Sequence, residues 1–121
     1  MNVGEGFSIF FIIRSGDAFA KMCLSESGKF RVLKNSRTNV PVFRKSSTKV
    51  WIMGKINDLV DKNILRKVKD SYIFTEDYDF TGSSTAAMII LGEVCDGLIE
   101  WTTSDGEKLG EYLKRKKIIK I

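Results

Sequence analysis

The sequence predicts a small single-domain α+β fold, and three observations carry that prediction. Aromatic and β-branched residues crowd the N-terminal third in short runs separated by turn residues. Apolar residues then recur at helical spacing around residues 48–62 and 84–92. The chain has 121 residues, 43% of them apolar and 29% charged, with Pro41 the one proline, which suits one buried core spanning residues 1–121. The expected order is N-terminal antiparallel hairpins, two main helices and a C-terminal segment that is either strand or helix.

Residues 7–14 (FSIFFIIR) read as a strand, too short and too interrupted for a membrane span and without the flanks of a secretory signal. Ser15-Gly16-Asp17 is a turn by composition. Residues 18–24 and 29–33 surround a glycine-ended loop and form a hairpin, in which Phe30 and Val32 alternate with Lys29, Arg31 and Leu33. Residues 35–45 look like a loop, being rich in Asn, Ser and Thr around Pro41. Ser46 and Ser47 offer N-caps to a helix over 48–62 whose apolar stripe is Ile52, Ile56, Leu59 and Val60, with a stop near Asn63.

Residues 64–68 and 72–75 flank Lys69-Asp70-Ser71 as a further hairpin, so that a helix is followed by a two-stranded ribbon, as in many helix-and-wing nucleic-acid binders. Ser83 or Ser84 caps a second helix, apolar nearly all round and therefore buried. Asp96-Gly97 marks a tight turn, residues 98–102 a strand carrying Trp101, and Asp105-Gly106 another turn. The periodicity of 108–117 leaves helix and strand open.

The net charge of +5 is unevenly spread. No acid lies between Glu26 and Asp58, a stretch holding Lys29, Arg31, Lys34, Arg37, Arg44, Lys45, Lys49 and Lys55. Between Asp70 and Glu111 inclusive there are ten acids against one base, Lys108, before a basic tail over 114–121. Such segregation fits a basic face that meets an anion, provided folding does not interleave the two segments.

There is no histidine, which removes the commonest general base and zinc ligand, and no Ser–His or Cys–His pair can form. The phosphate-cradling, dinucleotide and zinc-protease motifs are all missing. Glu76, Asp77 and Asp79 could supply two oxygen ligands to Mg²⁺, but a solvated acidic turn is the preferred reading. Cys23 and Cys95 read as buried free thiols of a reducing cytoplasm. No metal, cofactor or catalytic residue is expected.

The candidate contacts are therefore nucleic-acid contacts: Arg31, Lys34, Arg37, Arg44, Lys45 and Lys49 for phosphates, with Arg37 or Asn39 able to read a base edge. Trp101, Trp51 and Phe43 are candidate stacking platforms, although an aromatic in a helix or strand is more often core.

Three segments resemble a known family. Residues 29–36 (KFRVLKNS) resemble its strand-and-turn motif "GF-V-L-K-G-S". Residues 74–80 with Ser84, Ala86, Ala87 and Gly92 resemble "F-x-x-D-y-x-F-s-S-P-S-A-A-A-x-x-x-x-G", and Asp96, Gly97, Trp101 and Gly106 resemble "N-G-x-x-E-W-x-x-x-D-G-K-T-L". The family is the uncharacterised domain appended to bacterial GIY-YIG-type nucleases and restriction-linked proteins. It is similar in turn to the restriction enzyme adenine methylase associated domain, thought to recognise modified DNA. The resemblance covers about 28–112.

It implies an accessory domain whose motif residues, Asn35, Ser36, Phe80, Ser84, Ala86, Ala87, Gly92, Asp96, Gly97, Trp101 and Gly106, are mainly structural. Asn35 stands for a family glycine, Ser83 for its proline and Asp96 for its asparagine, and each substitute suits a turn or cap. The expected partner is DNA, with a nuclease or methylase as a protein partner and no membrane. A protein-interaction module without direct nucleic-acid contact is the alternative.

Overall fold

The computed structural model of the protein describes residues 9–41 and 46–116. Strands β1 (Phe11–Ser15) and β2 (Ala18–Leu24) close a hairpin at Gly16-Asp17, with Ser15 opposite Ala18. β3 (Phe30–Val32) pairs antiparallel with β2, and β6 (Tyr78–Phe80) pairs antiparallel with β3, giving the order β1-β2-β3-β6. β4 (Leu65–Val68) and β5 (Ser71–Phe74) form a separate two-stranded ribbon after α1 (Ser46–Asp61). Three helices follow β6: α2 (Ser83–Leu91), α3 (Gly97–Glu100) and α4 (Leu109–Arg115).

Alternation decides which sheet face is buried. Phe11 and Ile13 on β1, Ala18, Ala20 and Met22 on β2, Val32 on β3 and Phe80 on β6 point inward. α2 lies against this inner face and touches β1, β2, β3 and β6. Its Ala86 and Ala87 are wholly buried and, having only a Cβ, let the helix approach the strands closely. Ile89 and Ile90 complete the contact, each worth about 1.5–3 kcal/mol of burial. Gly92 ends α2 in the left-handed region (φ 74°), where its N–H donates to the Met88 carbonyl. A Cβ there would also stand 2.8 Å from Pro41 Cα, so glycine is required twice over.

The hairpins, the two main helices and the left-handed turn at Asn35 (φ 76°) agree with the sequence-based expectations. α1 ends at Asp61, with Asn63 left-handed just beyond, and the open C-terminal segment is the helix α4. Other expectations need correcting. The first strand starts at Phe11; Phe7 and Ser8 lie outside the described residues. Residues 98–102 are not a strand. The Asp96 carboxylate accepts from Leu98 N at 2.9 Å and starts the one-turn helix α3, leaving Thr102 to bridge to Ile12. Neither serine caps α2, because Gly82 is the cap residue and Ser84 Oγ instead accepts from Gly97 N at 2.9 Å. Residues 78–80 belong to a strand rather than a solvated turn. Both cysteines are free but only half-buried. No helix among the described residues is long and apolar enough to cross a membrane.

Candidate functional site

The stretch 35–39, loop-like by composition, is stitched between the two sheets. Asn35 N and Thr38 N donate to the carbonyls of Phe74 and Tyr72, and Phe74 N donates to the Ser36 carbonyl. On the other side Arg37 exchanges backbone bonds with Phe19 on β2 (2.9 and 3.1 Å). Ser36 and Thr38 point inward and are buried: Ser36 Oγ accepts from Lys21 N at 3.1 Å, and Thr38 Oγ1 accepts from Tyr72 N at 3.0 Å. With its neighbours turned in, Arg37 is turned out and is exposed.

This seam joins the main sheet to the ribbon in one register. Arg14 is paired with Phe19, Phe19 with Arg37, Arg37 with Ile73, and Ile73 with Arg66. Partners directly opposite in antiparallel pairs share a face. The five residues therefore form a row, cation–apolar–cation–apolar–cation, across the face opposite α2. Four inter-strand steps of ~4.8 Å make the row about 19 Å long. Arg14, Arg37 and Arg66 are exposed, Phe19 is 37% exposed, and the Arg14 guanidinium lies 4.9 Å from the Phe19 ring centroid. Lys21, two positions along β2, is exposed on the same face. Among the described residues none of these four cations has a carboxylate within ion-pair distance.

The sequence-derived candidates divide. Arg37 is in the row. Arg31 shares the outer face, but its Nε and Nη2 donate to both oxygens of Asp79 at 2.8 and 3.1 Å across the β3–β6 pairing. The guanidinium hydrogen bond holds the Asp79 carboxyl below its ordinary pKa and raises that of Arg31, so this cation is already neutralised. Lys34 is exposed in the turn after β3, where Asp77 accepts from its backbone N–H at 2.8 Å and sets an acid beside it. Lys49 is on α1 with Lys67 and Tyr72 around a separate shallow hollow, away from the row. Arg44, Lys45, Phe43 and the tail from Lys117 lie outside the described residues.

Two candidates are corrected outright. Trp101 is 0% exposed and its indole N–H donates to the Ser83 carbonyl at 3.1 Å; it is a core residue and no base can stack on it. Asn39 is committed to the fold, its Oδ1 accepting from Asp17 N and Ala18 N at 2.8 and 2.9 Å. Trp51 stays accessible on α1, 44% exposed, with the Lys55 ammonium 5.5 Å from its ring. Of the three acids weighed for Mg²⁺, Asp79 holds Arg31 and Asp77 the Lys34 amide. No group of three metal-binding side chains occurs among the described residues.

Arg14, Lys21 and Arg66 were missed. The signal was there for β2, where Ala18, Ala20 and Met22 alternate with Phe19, Lys21 and Cys23 so cleanly that the outward phase is legible. Arg66 gave no such signal, because its place in the row depends on the seam.

Above β1 and β2 the outer face deepens into a basin of about 610 Å³, walled on one side by Arg14, Phe19 and Lys21 and on the other by Tyr112 and Arg115. Arg115 lies 5.3 Å from the Tyr112 centroid and donates to both oxygens of Glu107 at 3.0 and 2.8 Å, which holds the Glu107 carboxyl below its ordinary pKa.

The family model for a domain of unknown function, DUF4357, matches residues 10–113, and the chain belongs to that family. The match begins at residue 10 rather than about 28 and so takes in the β1–β2 hairpin that carries Arg14 and Phe19 of the row. No curated protein and no solved structure matches the chain.

Proposed function

We propose that this DUF4357 domain is a non-catalytic accessory module of the cytoplasm that binds nucleic acid, DNA first, through the outer face of its sheet. The observation that carries the reading is the row Arg14–Phe19–Arg37–Ile73–Arg66, reinforced by Lys21. It gathers cations from β1, β2, the seam and the ribbon, none of them ion-paired among the described residues, onto one face. To that face the acid-rich segment contributes Asp79 and Glu107, each bound to an arginine, and the exposed Asp105 in the basin lining. Backbone pairing fixes the points from which these side chains reach out to phosphates, and each phosphate neutralised releases condensed counterions.

The motif resemblance supports a restriction or nuclease setting, in which the domain would act beside a nuclease or methylase and adenine modification would be a feature worth offering it. The test is fluorescence anisotropy with labelled DNA across a salt series, comparing wild type with Arg14→Ala/Arg37→Ala/Arg66→Ala. Binding that weakens steeply with salt, and a triple variant with lower affinity and a salt slope flatter by about 2–3, is expected for three lost phosphate contacts. Equal affinity and slope in the two proteins would remove this face from consideration.

One observation favours a second reading, a protein-interaction module. Val94 and Ile99 are 66% and 52% exposed at the α2–α3 corner, among Glu93, Asp96 and Glu100. Concentration-dependent self-association without retention on heparin would support it over the first.

A further inference from the structure

The outer face carries more apolar and aromatic surface than phosphate binding requires. Phe19 is 37% and Phe10 41% exposed, both line the basin, and Ile73 and Ile12 lie half-buried on the same face. A duplex turns its phosphates outward and keeps its bases stacked inside, so it would leave these side chains without a partner and would desolvate them against charge. An unpaired strand presents phosphates and base faces together, and base–aromatic stacking is tolerant of sequence because every base has a π face.

The basin has the size of a ligand pocket and two walls built alike: Arg14 over Phe19 and Arg115 over Tyr112. Each wall is an aromatic ring with a guanidinium over it, so a base entering the basin meets a cation layered on a ring. Glu107 fixes Arg115 by two hydrogen bonds, so that wall is held in place before any ligand arrives.

Resting on the nucleic-acid reading above, we propose that the outer sheet face takes single-stranded DNA rather than duplex, the backbone following the Arg14–Arg37–Arg66 row and one base stacking in the basin on Phe19.

The experiment uses the full chain with labelled oligothymidylate, a duplex of the same length and oligouridylate, against wild type, Phe19→Ala, Phe19→Trp and Phe10→Ala. The proposal expects oligothymidylate to bind more tightly than duplex. Phe19→Ala should weaken the strand about tenfold and leave the duplex unchanged, while Phe19→Trp keeps strand affinity. Phe10 lies outside every strand, so Phe10→Ala reports on the basin even where Phe19→Ala disturbs β2, and it should weaken the strand in the same sense.

Duplex bound as tightly as strand, with Phe10→Ala and Phe19→Ala affecting neither, would overturn this proposal and leave the nucleic-acid reading standing. Tighter binding of oligouridylate would overturn the assignment to DNA. No binding of any probe at low salt would overturn the nucleic-acid reading itself, and this proposal with it.

Discussion

Arg37 stands directly opposite Phe19, and the two exchange backbone hydrogen bonds of 2.9 and 3.1 Å that put a cation and an aromatic ring side by side on the outer face. The backbone of Arg37 ties the seam to the main sheet, as Ser36 and Thr38 tie it to the ribbon, while the Arg37 side chain is turned outward and exposed. The two roles separate by substitution. Arg37→Ala should change stability by less than about 0.5 kcal/mol while weakening DNA binding. Arg37→Pro removes the N–H that donates to Phe19 and should cost about 1–3 kcal/mol in a denaturant melt. Equal destabilisation by both would contradict the division.

The Arg31–Asp79 pair makes a counterintuitive prediction. Asp79→Asn removes the carboxylate that neutralises Arg31 and returns that cation to the outer face. Affinity for single-stranded DNA should rise and the salt slope steepen by about 0.7, one further phosphate contact, as read by anisotropy. A loss of affinity would place Arg31 outside the interface.

The same pair sets an acid dependence. The Arg31 hydrogen bond lowers the Asp79 pKa in the folded state, so its contribution to stability is present above the ordinary carboxylate range and is lost as pH falls through the lowered value. Glu107, bound to Arg115, acts in the same direction. Melting temperature should therefore decline below about pH 4, and less steeply in Asp79→Asn than in wild type.

The cysteines should react slowly and unequally. Burial, reinforced by Glu100, Glu93 and Asp96, pushes the Cys95 thiol up to about 12, while Cys23 is raised by burial and partly offset by Arg31. Thiolate is the reactive form, so a thiol reagent at pH 8 should label Cys23 before Cys95. Faster labelling of Cys95 would contradict the packing around α3.

The knot formed by Ser83, Ser84, Gly97 and Trp101 should be the least tolerant part of the fold. A Cβ on Gly97 would run into the backbone of Ser83 and Ser84, which cannot yield as a side chain can. Gly97→Ala should cost about 3 kcal/mol, and Trp101→Ala, which empties the largest fully buried site, about 3–5 kcal/mol. Both are measured by denaturant unfolding.

What the sequence made legible was local. The turns at Gly16 and Asn35, the apolar stripe of α1 and the all-round apolarity of α2 each carry their cause within a few residues. β6 did not, because the partner that turns Asp79 from a solvated acid into a strand residue is Arg31, far back in the chain. α3 was misread because Leu98 to Thr102 has a strand's composition, while the Asp96 cap and the close approach of Gly97 to Ser83 decide for a single helical turn. Arg37 was singled out through loop composition although it lies in a bridged seam, and its row could not be assembled because Arg14, Arg37 and Arg66 meet only through that seam. Trp101 was a candidate stacking platform by residue type, yet the carbonyl that satisfies its indole belongs to Ser83 of α2. The buried motif residues explain themselves as scaffold, and the candidate site lies on the face they leave free.

The most direct test is to map amide chemical-shift changes while titrating labelled protein with oligothymidylate. The largest shifts should fall on β1, β2, residues 35–39 and β4–β5, centred on Arg14, Phe19, Lys21, Arg37 and Arg66, and fade with added salt. Shifts confined to α1 around Trp51 or to the α2–α3 corner around Ile99, with the outer sheet face unchanged, would contradict it.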